Sequence, residues 1–194
     1  MPEPETKRRI LSIAREILAS DGLGAVSFDA IARSLGRSKQ AVLYWYPTKR
    51  DLLAAMFLPW LEAEAETACR ALSKSSGRSE AITSFVRSLT DFHLADLDRF
   101  RMMYLVPQTT GAKSKGRGKL VAGDKVYPVT NRLYCALADH LNGKPDAARK
   151  EAVAIHSAVL GLIMMIAFAD AIGDPLKHAQ EDLVDSLVAA FTEH

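Results

Sequence analysis

The stretch SFDAIARSLGRSKQAVLYWY, residues 27–46, decides the fold. Ser27 and Ser38 each stand where a serine hydroxyl accepts a hydrogen bond from the first turn of a following helix. Gly36 stands where a helix ends in a left-handed residue, and small alanines before it allow close packing. The stretch therefore predicts two short helices joined by a tight turn, which is the helix-turn-helix arrangement.

Helical spacing continues on both sides of this motif. Upstream, apolar residues recur at intervals of three and four over 6–20, and Asp21-Gly22 predicts the end of that helix. Downstream, Thr48 is expected to cap a long helix. Pro59 lies inside its apolar pattern, so we expect a kink rather than an end.

The remaining two thirds of the chain also predict helices, and no alternating strand pattern is present. The expected segments are 79–94, 97–106, one that starts at Pro128, 146–172 and 181–191. The fold class is all-α. We expect an N-terminal three-helix helix-turn-helix domain over 1–50 and a helical domain for ligand binding and dimerisation over 51–194.

Composition narrows the classes of protein further. The net charge of 194 residues is +2, yet residues 1–53 carry nine Lys or Arg against six acids. Cys69 and Cys135 are far apart and match no disulfide or zinc framework, which is typical of a reducing compartment. The apolar run Ala158–Ala169 is shorter than the roughly twenty residues of a membrane span. We expect a soluble cytoplasmic protein, with no membrane partner and no cofactor or metal.

The second helix of the motif has the chemistry of a DNA-reading element. Such a helix enters the major groove by its N-terminal end, where side chains reach bases and phosphates. Polar side chains occupy that end here: Arg37, Ser38, Lys39 and Gln40. Tyr44 and Trp45 can donate to phosphates, and Lys49 begins a helix, where an anion is favoured. Duplex DNA is therefore the predicted partner.

Residues from about Lys7 to Phe57 resemble the DNA-binding domain of TetR-family regulators. The matching features are the first helix ending in Asp-Gly, Val-Ser, Ile-Ala-x-x-Leu-Gly, Ser-Lys with an aromatic cluster, and Pro-Thr-Lys-x-x-Leu-Leu. Two positions depart from the pattern: Leu43 replaces a frequent tyrosine and Gln40 a common glycine. The resemblance implies phosphate-backbone contacts from Ser27, Tyr44, Trp45 and Lys49. It implies base reading by Ser38 to Ala41.

The resemblance also implies how the protein assembles and works. The last two helices would pair with those of a second copy in a four-helix bundle, and the chain is apolar enough there for an interface. The residues expected at that interface are Leu160, Leu183, Leu187 and Phe191. A homodimer implies a palindromic operator. The usual function in this family is that of a repressor that a small-molecule effector releases from its operator, and the resemblance therefore implies the same function here.

An effector pocket is predicted in the C-terminal body. Aromatic, sulfur-containing and imidazole side chains are frequent in its helices, although such residues are more often plain core. The candidates are Phe85, Leu89, Phe92, His93, Met103, Tyr104, Tyr134, His156, Met164 and Phe168. Their pattern does not specify the chemistry of the ligand.

Two other classes of protein compete with this interpretation. An enzyme is disfavoured, because the sequence has no metal-binding His-Glu-x-x-His, phosphate-binding glycine loop or nucleophile motif, and no catalytic residue is predicted. A helical adaptor is the stronger alternative, since the C-terminal body alone would serve. A mobility shift with the DNA that flanks the gene separates these classes.

Overall fold

The computed structural model describes residues 5–105 and 121–193, with side chains for 5–104 and 126–193. Every regular element in these ranges is helical. The α-helices are α1 (Glu5–Ala25), α2 (Phe28–Leu35), α3 (Lys39–Trp45), α4 (Lys49–Leu72), α5 (Arg78–Leu94), α6 (Leu97–Phe100), α7 (Val121–Ala138), α8 (Pro145–Ile172) and α9 (Gln180–Thr192). A π-helical turn, Arg101–Leu105, follows α6, and a 3₁₀ turn, Pro175–His178, precedes α9.

The described chain divides into two compact units, the first comprising 5–59 and the start of α7, the second 60–105 and 127–193. In the first unit α1 packs on α2, and α2 packs on α3. Its core consists mainly of aliphatic side chains from α1 to α4 and from Val26 between α1 and α2; those on the helices include Ile10, Ala14, Ile31, Val42, Leu52 and Met56. Apolar burial is the main force that holds such short helices together.

The capping pattern of the first unit is confirmed. The hydroxyl oxygens of Ser27 and Ser38 accept hydrogen bonds from the amides of Ala30 and Ala41, at 3.1 and 3.3 Å. Gly36 ends α2 with φ 67°, a conformation that disfavours any residue with a Cβ. These caps satisfy amide groups that a helix leaves free, and they fix where α3 begins.

Helix α1 is longer than predicted. It continues to Ala25, and Gly22 interrupts it with φ 75° and ψ 177°. The predicted break is therefore real, but one more helical turn follows it. Thr48 caps α4 as expected, accepting from the amide of Asp51 at 3.1 Å, and α4 runs unbroken past Pro59 to Leu72.

The second unit contains the remainder of α4, α5 to α9 and the π-helical turn. Helix α9 packs on α5 and α8, and α5 also packs on α8. The prediction that Pro128 starts a helix is wrong, because α7 begins at Val121 and Pro128 lies inside it. Proline lacks only one amide donor, so a helix that already has a turn before it can continue.

Helix α8 is buried on one side only. Its large apolar residues with the most exposed side chains are Val153, Met164, Met165, Phe168 and Ile172. Among the described residues it is the one helix long and apolar enough, by length and composition, to cross a membrane. That is weak evidence for a membrane span, because a core helix passes the same test and the opposite side of α8 is buried.

Candidate functional site

The N-terminal end of α3 is exposed to solvent. Arg37, Ser38, Lys39 and Gln40 are all exposed, and Ala41 is half-buried. Val42, one residue further, is fully buried and anchors the helix in the first unit. A firmly packed short helix thus presents a polar end, which is the requirement for reading base edges in a groove.

One of these side chains has a partner within the protein. The Lys39 ammonium nitrogen lies 2.8 Å from an Asp29 carboxylate oxygen, and both side chains are half-exposed or more. Such a surface ion pair contributes about 1 kcal/mol or less, so a phosphate can compete for the lysine. The pair positions Lys39 between α2 and α3 before any ligand arrives.

Two aromatic side chains mark the end of α3. The Tyr44 side chain is 77% exposed, while Trp45 is half-buried. Their rings meet edge to face, with centroids 5.1 Å apart. Little within the described residues covers Tyr44, so its phenol is free to reach a partner outside the chain.

Ser27 and Lys49 bear structural roles besides their predicted DNA contacts. The Ser27 oxygen accepts the cap hydrogen bond, but its own O–H can still donate to a phosphate. The Lys49 ammonium donates to the Leu23 carbonyl at 3.3 Å, which ties the start of α4 to the end of α1. Lys49 remains half-exposed.

The structure brings together most of the predicted effector residues. Phe85, Leu89, His93, Met103 and His156 are buried. Ring contacts join several of the set, with the Phe85 and His156 centroids 6.0 Å apart and the His93 and Tyr104 centroids 5.6 Å apart.

Two residues assigned to this pocket lie elsewhere. Met164 and Phe168 are 45% and 59% exposed on the outer face of α8. Helical periodicity could not distinguish the two faces of α8, because both faces are apolar.

Sequence reasoning missed the residue at the centre of this cluster. Glu64 of α4 is 1% exposed, and its carboxylate lies 3.1 Å from Nε2 of both His93 and His156. The Tyr104 hydroxyl donates to it, 2.7 Å from each carboxylate oxygen, and the Tyr134 hydroxyl lies 3.2 Å from Nδ1 of His156. We call these five residues the Glu64 cluster.

The cluster changes the acidity of its members. Burial alone would raise the pKa of Glu64, yet the hydrogen bonds and charge of His156 and His93 lower it to about 2. Burial and the negative charge of Glu64 raise the pKa values of Tyr104 and Tyr134. Glu64 is therefore a carboxylate at neutral pH, and both phenols keep their protons. Within the described residues, no three His, Cys, Asp or Glu side chains are arranged to hold a metal.

Comparison with known proteins places the exposed helix in a family. Residues 10–56 match the family model of bacterial regulatory proteins of the tetR family. The match includes both caps, Gly36, the whole of α3 and the first turns of α4. Residues 10–56 therefore form a domain of the tetR family. DNA binding and transcription regulation are the activities of this family.

Solved structures share the fold over 94–98% of the chain. A tetR-family regulatory protein from Rhodococcus RHA1 is 17% identical with TM-score 0.63, covering 97% of this chain and 98% of that one. A candidate transcriptional regulator from Streptomyces coelicolor is 21% identical with TM-score 0.64, covering 98% and 100%. The regulator FadR from Bacillus subtilis, solved with stearoyl-CoA, is 14% identical with TM-score 0.63, covering 94% and 97%. No curated protein matches the chain.

The residues predicted at the dimer interface are half-buried within one protomer. This holds for Leu160, Leu183, Leu187 and Phe191, while Val184 is buried. The more exposed apolar surface lies on α8, at Met165 and Phe168 among others. A helical stripe identifies an amphipathic helix, but it does not identify which residues the protomer already covers.

Proposed function

We propose that this regulator is a homodimeric repressor that binds a palindromic operator and is released by a small-molecule effector. The observation that carries the proposal is the exposed polar end of α3, from Arg37 to Gln40, on a capped and packed helix. Phosphate contacts from Ser27, Tyr44, Trp45 and Lys49 would position that end, and Ser38 to Ala41 would read the bases. We expect the protein in the cytoplasm, where its DNA is.

Dimerisation is proposed from the outer face of α8. Residues Val153, Met164, Phe168 and Ile172 recur at helical spacing and are exposed in the protomer. A contiguous apolar face of this kind marks an interface on a water-soluble protein. A second copy is the occupant that a two-fold operator requires, because a dimer places two recognition helices one helical turn of DNA apart.

Effector release is proposed from the interior of the second unit. The residues predicted to form a pocket surround Glu64, a charged group that a tightly packed core alone does not need. The neighbour from Bacillus subtilis was solved with stearoyl-CoA, so a body of this fold can accept a small molecule. An effector that prefers the state with low operator affinity would release the DNA.

An operator selection from random duplex DNA tests the proposal. The full chain should enrich a palindromic motif whose half-sites are about 10 base pairs apart. Gln40→Ala should change the enriched bases, while Ser34→Ala, at an exposed position of α2, should leave them unchanged. No enriched motif, together with no shift of DNA flanking the gene, contradicts the proposal and favours the helical adaptor.

A further inference from the structure

We infer that Asp29 is a specificity-determining residue of the DNA-binding surface, which acts by holding Lys39 in position for base reading. This role rests on the proposed operator binding and adds a residue to it, since Asp29 is not among the predicted DNA contacts. The Lys39 ammonium donates to an Asp29 carboxylate oxygen at 2.8 Å, and the contact joins the start of α3 to the start of α2. Asp29 is thus a positioning residue that acts through Lys39.

Lys39 differs from the polar side chains beside it. Arg37 and Gln40 are exposed, and within the described residues neither side chain has a hydrogen bond or an ion pair. Lys39 is the first residue of α3, directly after the cap Ser38, and Asp29 fixes the far end of its side chain. A long side chain loses rotamer freedom when it contacts a base, and one that is held beforehand loses less.

Other acidic residues of the first unit have partners of a different kind. They accept hydrogen bonds from nearby hydroxyls: Glu16 from Ser12, Asp21 from Ser20 and Asp51 from Thr48. Each of those contacts joins residues at most four positions apart, whereas Asp29 and Lys39 are ten positions apart and on different helices. Among these four carboxylates, only that of Asp29 pairs with a predicted DNA contact.

A carboxylate at this surface also weakens its general attraction for DNA. Phosphates are negative whatever the sequence, so Asp29 reduces the affinity of this face for any duplex. An acid in the first turn of a helix favours the helix, which gives Asp29 a structural benefit as well. That benefit does not involve Lys39, and Ser27 already caps α2 through the amide of Ala30. A purely structural role for Asp29 therefore predicts no coupling with Lys39 in DNA binding.

The ion pair gives Lys39 different contacts on operator and on unrelated DNA. An ammonium group has three N–H donors, so Lys39 can donate to a base-edge acceptor, such as N7 or O6 of guanine, without leaving Asp29. Where no such acceptor stands in register, Lys39 can neutralise a phosphate only by breaking its contact with Asp29. The pair therefore withholds one positive charge from non-specific binding and keeps the base contact available.

Affinity measurements on the full chain, with the selected operator and with an unrelated duplex of equal length, test this role. Asp29→Asn keeps the shape of the side chain and removes its charge. It should strengthen binding to unrelated DNA and lower the ratio of operator to unrelated affinity by about fivefold, the upper range for a surface ion pair. The salt slope for unrelated DNA should steepen by up to about one unit, because Lys39 becomes free to neutralise a phosphate.

Asp21→Asn is the matched control. It removes the same charge from an exposed aspartate of the same unit, whose carboxylate accepts from a serine hydroxyl. Both the affinity ratio and the salt slope should stay close to those of wild type. If Asp29→Asn does not fold, Asp29→Ser removes the charge with a residue that the first turn of a helix accepts, and it should have the same effect.

A double-mutant cycle separates the positioning of Lys39 from a structural or long-range effect of Asp29. In a Lys39→Gln background, Asp29→Asn should change neither the affinity ratio nor the salt slope, because the ion pair is already absent. Equal effects of Asp29→Asn with and without Lys39 overturn the inference. So does an unchanged ratio in Asp29→Asn, or an equal change in Asp21→Asn.

The same measurements distinguish failure of this role from failure of the proposed function. If wild type prefers its operator and Asp29→Asn keeps the same ratio, the proposed repressor stands and the role of Asp29 is contradicted. If wild type binds both duplexes equally, the proposed operator binding is contradicted, and the role of Asp29 with it.

Discussion

Lys49 illustrates how one side chain can combine a structural and a functional role. Its ammonium donates to the Leu23 carbonyl, and it also begins α4, where an anion is favoured. Lys49→Gln can keep a hydrogen bond but loses the charge. We expect it to weaken binding to every DNA sequence similarly and to lower the salt slope of the affinity by about one unit.

Titrations with operator and unrelated DNA at several salt concentrations measure both effects of Lys49→Gln. Arg70→Gln is the control, because Arg70 is an exposed cation near the end of the same helix, outside the family match. An unchanged salt slope in Lys49→Gln would show that Lys49 does not contact the DNA backbone.

Glu64 predicts a pH dependence of stability. The pKa of its carboxyl is about 2 in the folded chain against 4.5 for a free carboxyl. A lowered pKa in the folded state stabilises the fold above the unfolded pKa, and this contribution is lost as pH falls from 4.5 towards 2. The full contribution is about 3 kcal/mol.

Urea unfolding at pH 7, 5 and 3.5 tests this dependence. Glu64→Gln should be less stable than wild type at pH 7, and the difference should shrink as pH falls. The exposed Glu62→Gln serves as control. A difference between Glu64→Gln and wild type that is constant from pH 7 to pH 3.5 contradicts the assigned sign.

Glu64 also shows which contacts could not be predicted from the sequence. The caps at Ser27, Ser38 and Thr48 were predictable, because each depends on residues within one turn of the chain. Glu64 stands among Glu62 and Glu66 and looks like part of a solvated face. Its spacing from Leu61, Ala65 and Ala68 puts it on the apolar stripe of α4, which is a signal. Its partners are 29 to 92 residues away, and no local pattern identifies them.

At the scale of elements, the outer face of α8 gives the sharpest test of assembly. Phe168 is already 59% exposed in the protomer, so charge there leaves the protomer fold intact. Phe168→Glu would bury an unpaired carboxylate in the proposed interface, which costs several kcal/mol. We expect wild type to be a dimer at micromolar concentration and the variant a monomer.

Light scattering measures this change, with Ser186→Glu as the exposed control on α9. Leu187→Glu is a less selective probe, because Leu187 is half-buried within its own protomer. If the wild type is monomeric at these concentrations, the proposed interface and the proposed two-fold operator are both contradicted.

Boundaries of elements were less predictable than their existence. Gly22 was interpreted as the end of a helix and Pro128 as the start of one, yet helical residues lie on both sides of each. Glycine and proline weaken a helix by a limited amount, and tertiary packing can offset that cost. The all-α fold class did not depend on these positions, because it follows from periodicity over whole segments.

At the scale of the molecule, α4 is the element through which the two sites can communicate. It begins at Lys49 in the first unit and contains Glu64 in the second. Pro59, the last residue of this helix in the first unit, has no amide hydrogen, so the Ala55 carbonyl lacks its usual helical donor. The helix is therefore weakest between the proposed DNA contacts and the proposed effector site.

We expect Pro59 to take part in this communication. An effector that binds beside α4 in the second unit would change the packing of α4, and a helix with a missing hydrogen bond can bend there. Pro59→Ala restores the bond and stiffens the helix. It should reduce the ratio of operator affinities measured without and with an identified effector, while changing the operator affinity without effector little. By linkage, operator DNA must weaken effector binding by the same factor in each protein. Ser73→Ala, beyond the end of α4, is the control, and equal ratios in wild type and Pro59→Ala would show that Pro59 only shapes packing.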